Sequence, residues 1–77
     1  MLRIQLTKTR CVYIDMEEDT FPNRGGYYVR VYAGDDKTGD MLDHFTISRF
    51  TITGNTPEEK LRKARLIAID KVKYLLG

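Results

Sequence analysis

The sequence predicts an α+β fold: an antiparallel β-meander of three to four strands packed on one face by a single C-terminal helix. Three observations predict it. Apolar residues alternate at period two through the first half of the chain. Clusters of Gly, Asp and Pro interrupt that alternation where turns are needed. After Thr56 the apolar spacing changes to the helical period of about 3.6 residues.

The elements follow in order. Leu2, Ile4 and Leu6 alternate with polar residues, as do Val12, Ile14 and Met16, and Thr7-Lys8-Thr9-Arg10 between them reads as the turn of a β-hairpin. Residues 17–26 form a loop: Pro22 fixes φ, and Gly25-Gly26 permits positive φ. At ten residues it is long for a hairpin connection, which marks it as a candidate functional segment. Tyr27 to Ala33 is the clearest strand. Tyr27, Val29, Val31 and Ala33 point one way, and Tyr28, Arg30 and Tyr32 the other.

The stretch Gly34 to Asp40 supplies turn chemistry, and a returning strand is expected over Met41 to Thr53. Phe45 and Ile47 share one parity there, Phe50 and Ile52 the other. Both pairs reach the core only through a bulge near Ser48-Arg49, or as two shorter strands. Thr56-Pro57-Glu58-Glu59 then opens the helix, with Thr56 as N-cap, Pro57 at the first helical position and Glu59 completing a capping box. Leu61, Ala64, Ala68, Val72 and Leu75 form its apolar stripe, with Ile69 and Leu76 on the flank and Leu66 and Ile67 off it. Gly77 follows at the end.

Length and composition bound the class. Seventy-seven residues suit one domain with a small core, and 42% hydrophobic with 31% charged residues is a globular composition. No apolar run reaches the roughly 18 residues of a membrane span, and the alternating start does not resemble a signal sequence. Cys11 is the only cysteine, which excludes an internal disulfide and suits a reducing, cytoplasmic setting. The formal net charge is +2, unevenly distributed. Residues 1–54 carry seven basic and eight acidic residues, and residues 55–77 carry six basic and three acidic. The helix is therefore the electropositive element.

No catalytic, metal or nucleotide motif emerges, so neither an enzyme nor a cofactor is expected. Asp43-His44 offers a base without a nucleophile, and a lone histidine makes no metal site. The Asp35-Asp36-Lys37-Thr38-Gly39-Asp40 run lacks the ligand spacing and terminal Glu of a calcium loop. The sharpest feature is the Tyr28-Arg30-Tyr32 row, with Tyr13 or Arg49 expected nearby. Aromatic rings interleaved with a guanidinium on an uncovered face suit base stacking or a protein partner. The helix adds Lys60, Lys63 and Lys71 on one side, and Arg62 and Lys73 on the other, as candidate phosphate contacts.

Gly26-Tyr27-Tyr28-Val29-Arg30-Val31-Tyr32, a short turn, a second long strand and then Thr56-Pro57-Glu58-Glu59 resemble the small sheet-plus-helix domains with which some tyrosine integrases bind arm-type DNA sites. That resemblance implies a sheet face entering the major groove through Tyr28, Arg30 and Tyr32, with Arg49 a further candidate. The last two strands and the helix are also similar to the C-terminal half of double-stranded RNA-binding domains. The implied phosphate contacts are Lys60, Arg62 and Lys63. The N-terminal helix of that family is missing, and Glu58 and Glu59 stand where its basic run begins.

Two functional expectations result. One is a nucleic-acid-binding or regulatory module of bacterial or phage type, using Tyr28, Arg30, Tyr32, Arg49, Lys60, Arg62, Lys63 and Lys71. The other is a protein-interaction module, as a homodimer or an inhibitor-like partner protein. No membrane partner is expected. A continuous positive field over the uncovered face would favour nucleic acid, and a mixed face would favour protein.

Overall fold

A computed structural model describes residues 2–20 and 22–76. Met1, Phe21 and Gly77 lie outside the described residues, and with them the expected place of Gly77 after the helix. The chain forms β1 (Leu2–Gln5), β2 (Cys11–Glu18), β3 (Tyr27–Ala33), β4 (Met41–Ile47) and α1 (Pro57–Leu76). The four strands make one antiparallel sheet in the order β1-β2-β3-β4. The α+β meander with a C-terminal helix is thus the observed fold.

Register aligns the apolar parities. Leu2 and Ile4 pair with Ile14 and Val12, Ile14 and Met16 with Val31 and Val29, and Val29 with Phe45. One face therefore carries a continuous apolar surface. Val12, Ile14, Val29 and Val31 are fully buried on it, each worth roughly 1.5–3 kcal/mol relative to exposure.

The helix meets that face through small residues. Ala64, Ala68 and Val72 are buried, and two of the three carry a single methyl, so the α1 backbone lies close to the sheet. Ile67, Ile69 and Leu76 close the flanks, so Ile67, read from spacing as off the stripe, in fact packs against the core. Leu66 does face solvent, and Leu75, assigned to the stripe, is largely exposed.

The helix start follows the sequence signal with one variation. The Glu59 N–H donates to Thr56 Oγ1 (3.2 Å), and the Lys60 N–H donates to the Thr56 carbonyl (3.1 Å). Glu59 Oε2 returns to the Asn55 N–H (2.9 Å), one residue before the cap, instead of to that of Thr56. Two donors are still satisfied reciprocally. At the other end, the Arg10 guanidinium donates to the Leu76 carbonyl (2.9 Å), one of the helix's orphan acceptors.

The fourth strand departs from expectation. It stops at Ile47 and does not continue to Thr53. The Asn23 side-chain amide is the physical reason. Its Nδ2 donates to the Ile47 carbonyl and its Oδ1 accepts the Arg49 N–H, both at 3.0 Å. One side chain thereby takes the place of a neighbouring strand's peptide. Beyond it, Ser48 to Thr51 turn, with the Thr51 N–H bonded to the Ser48 carbonyl (3.0 Å). Ile52 drops into the core from this non-strand segment, while Phe50 is 82% exposed and takes no part.

The anticipated irregularity also moves. The register shift lies between Val31 and Tyr32, which pair with Asp43 and Met41, so Leu42 is the extra residue and Ser48-Arg49 carries no bulge. Gly26 is held tightly: a Cβ there would collide with the Asn23 amide and the Ile47 carbonyl.

Two stability predictions follow from the packing and the cap. Ala68→Leu should overpack the close helix–sheet contact and cost about 1–3 kcal/mol in urea denaturation. Thr56→Ala should cost about 1 kcal/mol with an unchanged m-value, read from the same titration.

Candidate functional site

One helix covers one face, so the opposite face of the sheet is open. Strand parity and register place its side chains in rows. Thr46, Tyr28 and Glu17 form one row, His44, Arg30 and Asp15 the next, and Met41, Tyr32, Tyr13 and Arg3 the third. Tyr28, Arg30 and Tyr32 therefore stand together as the β3 parity required, and Tyr13 joins them directly opposite Tyr32.

Arg30 sits at the centre of a connected group. Its Nη1 lies 3.2 Å from Glu17 Oε2 and 3.8 Å from Asp15 Oδ2. Its guanidinium carbon stands 4.5 Å from the Tyr28 ring centroid, a cation–π distance. The Tyr28 hydroxyl bonds His44 Nδ1 at 3.1 Å, with the two rings tilted at 5.9 Å. The hydrogen bond to Glu17 raises the Arg30 pKa further above its ordinary value. The guanidinium is thus a permanent cation with two carboxylates already beside it.

The remaining charges of this face are also paired. Lys37 reaches Asp15 at 3.4 Å, and Arg3 Nε reaches Asp35 Oδ1 at 2.6 Å. The Cys11 thiol donates to the same Asp35 oxygen at 3.2 Å. Hydrogen bonds from Arg3 and then from Cys11 hold the Asp35 carboxyl below its ordinary value. Thr38 does the same for Asp36 in the adjoining turn. Three cations (Arg3, Arg30, Lys37) meet three carboxylates (Asp15, Glu17, Asp35), so the open face is mixed and locally neutral. A concavity lined by Glu17, Glu18, Asp19, Thr20, Tyr28 and Arg30 opens widely to solvent at one end.

The other residues singled out from sequence lie elsewhere. Arg49 is not on the sheet face: β4 has ended before it, and its guanidinium stacks 4.8 Å from the Phe50 ring centroid. Lys60, Arg62 and Lys63 lie in the first half of α1, on the opposite side of the sheet from the tyrosines, with Lys63 Nζ bonded to Thr53 Oγ1 (3.0 Å). Lys71 Nζ lies 4.5 Å from the Phe45 ring centroid, at the β4 border. Among the described residues, the ion pairs all involve Arg3, Arg30 or Lys37, and none involves a helix cation.

Asp15, Glu17 and His44 belong to the open face, joined by Asp35 of the β3–β4 turn. From sequence, Glu17 is expected in the loop, and His44 and Asp35 are weighed only for catalysis or calcium; β2 instead runs on to Glu18 and sets Glu17 opposite Tyr28. The signal for Asp15 and Glu17 was present, since they share parity with Tyr13. The long connection before β3 hid which β3 residue each would face. Among the described residues no cluster of three metal-ligating side chains occurs, and no helix is long and apolar enough to cross a membrane. Set against protein-family models, curated proteins and solved structures, the chain matches none.

The Asp35 pairing has a pH signature. Its folded pKa lies below the ordinary 3.8, so its contribution is present above that value and is lost as pH falls through the folded pKa. Asp35→Asn should therefore lower the urea midpoint at neutral pH, and the difference from the parent chain should close below about pH 4.

Proposed function

We propose that the chain is a non-enzymatic binding module that docks a protein partner on its open sheet face. The observation that carries this reading is the neutralisation of Arg30 by Glu17 and Asp15, between Tyr28 and Tyr32. A phosphate approaching Arg30 would have to displace or desolvate two carboxylates of like charge, which works against polyanion binding on this face. Tyrosine and arginine are the side chains that most often anchor protein interfaces, and a balanced charge pattern fixes register with a complementary partner. Tyr13, Tyr28 and Tyr32 would be the anchors, and Arg30, Asp15 and Glu17 the polar frame.

A second reading is favoured by one specific observation: among the described residues no cation of α1 forms an ion pair. Nucleic acid or another polyanion would then lie along Lys60, Arg62, Lys63 and Lys73, away from the tyrosines. Glu58 and Glu59 already occupy the positive end of the helix dipole, so contacts would start beyond the first turn.

The two readings separate experimentally. A photo-crosslinker installed at Tyr32 should capture a protein from host lysate, and Tyr28→Ser or Arg30→Glu should abolish capture while circular dichroism stays unchanged. Titration with mixed duplex DNA and RNA at low salt should show at most weak binding, insensitive to Arg30→Ala. Tight binding that falls steeply with salt and is lost on Arg30→Ala would overturn the protein reading.

A further inference from the structure

The sheet has two free edges of unequal character. β1 offers four residues, and β4 offers seven. An edge strand presents unpaired backbone groups, and proteins usually shield a long one. Along β4 the shields are the bulge at Leu42 and the inward-facing Asp43. His44 pairs with Arg30, yet its N–H is donated to the Asp43 carboxylate (2.8 Å), so that N–H faces the free edge and is held only by its neighbour's side chain.

Apolar surface borders the same edge. Met41 is 53% exposed and Leu42 40% exposed at the start of β4.

We infer that the β4 edge is a self-association surface, and that its occupant is β4 of a second copy of this chain. The inferred register places the two-fold axis at His44, the middle residue of the seven, whose N–H faces the free edge. The bulge at Leu42 leaves Asp43 to Ile47 regular, and the axis falls inside that segment. His44 then meets His44 of the second copy, and Asp43 meets Phe45 of the second copy.

Charge complementarity in that register supports the assignment. Asp43 lies on the covered parity, opposite buried Val31, is half-buried, and forms no ion pair among the described residues. Lys71 stands over Phe45, 4.5 Å from its ring centroid. Pairing Asp43 against Phe45 of the second copy therefore brings it to the second copy's Lys71, and symmetry makes two such ion pairs. Strand pairing supplies the His44 N–H with a carbonyl and releases the Asp43 carboxylate for Lys71. The Asp43–Lys71 ion pairs lie on the covered parity, away from the tyrosines, so their exchange tests the dimer independently of the function proposed above.

Sedimentation equilibrium of the full chain from micromolar to millimolar concentration provides the test. A reversible monomer–dimer equilibrium is expected, and a monomer throughout would overturn the proposal. Asp43→Lys and Lys71→Asp should each weaken dimerisation at least about tenfold, equivalent to about 1.4 kcal/mol. The double exchange Asp43→Lys with Lys71→Asp should restore it, with circular dichroism verifying that every variant is folded. Failure of the exchange to restore association would overturn the register and the inference with it. Tyr32→Ser should leave the equilibrium unchanged, and a loss of dimer there would place the contact on the open face instead.

Discussion

The contact between two alanines and a valine of α1 and the apolar face of the sheet governs everything else in this molecule. Ala64, Ala68 and Val72 sit over a surface whose centre is Val12, Ile14, Val29 and Val31. With so few side chains in the core, one layer of contact provides nearly all the burial, and a second apolar layer is not affordable in a chain of this length. The opposite sheet face must then be built from residues stable in water. It solves that requirement with tyrosines, whose rings pack laterally, and with ion pairs that cost little at a solvated surface.

That solution links stability to recognition. The Arg30 group, in contact with Tyr28, Asp15 and Glu17, contributes lateral order to a face without a covering layer. The same order presents a partner with fixed aromatic rings and a fixed polar frame, reducing the entropy lost on docking. The helix cations, by contrast, occupy the opposite side of the molecule and stand apart from this network. The sheet face and the helix back therefore offer two chemically different surfaces on one small scaffold.

Much of the fold was legible because its signals are local. The Thr56 to Glu59 start and the β3 strand limits were readable from neighbouring residues alone. The β4 limit was not, because it depends on Asn23, some 24 residues away, whose amide bonds Ile47 and Arg49. Arg49 was placed on the face for the same reason, since parity counting continues through a turn that only a distant side chain reveals. The outward tyrosines followed from parity, whereas the carboxylates that neutralise Arg30 required the β2–β3 register. That register passes through a connection whose length leaves pairing undetermined from sequence.

The hydrogen bond from Arg10 to the Leu76 carbonyl ties the first hairpin turn to the last turn of the helix, across 66 residues of chain. Every strand otherwise pairs with its sequence neighbour, so the sheet assembles from short loop closures and the helix docks over them at the greatest contour length. Opening of that terminal tie would uncover the β1–β2 end of the apolar face while β3 and β4 stay protected. Amide hydrogen exchange should accordingly divide the molecule into two cooperative units, with the β1–β2 hairpin and the end of α1 exchanging together and ahead of the β3–β4 pair.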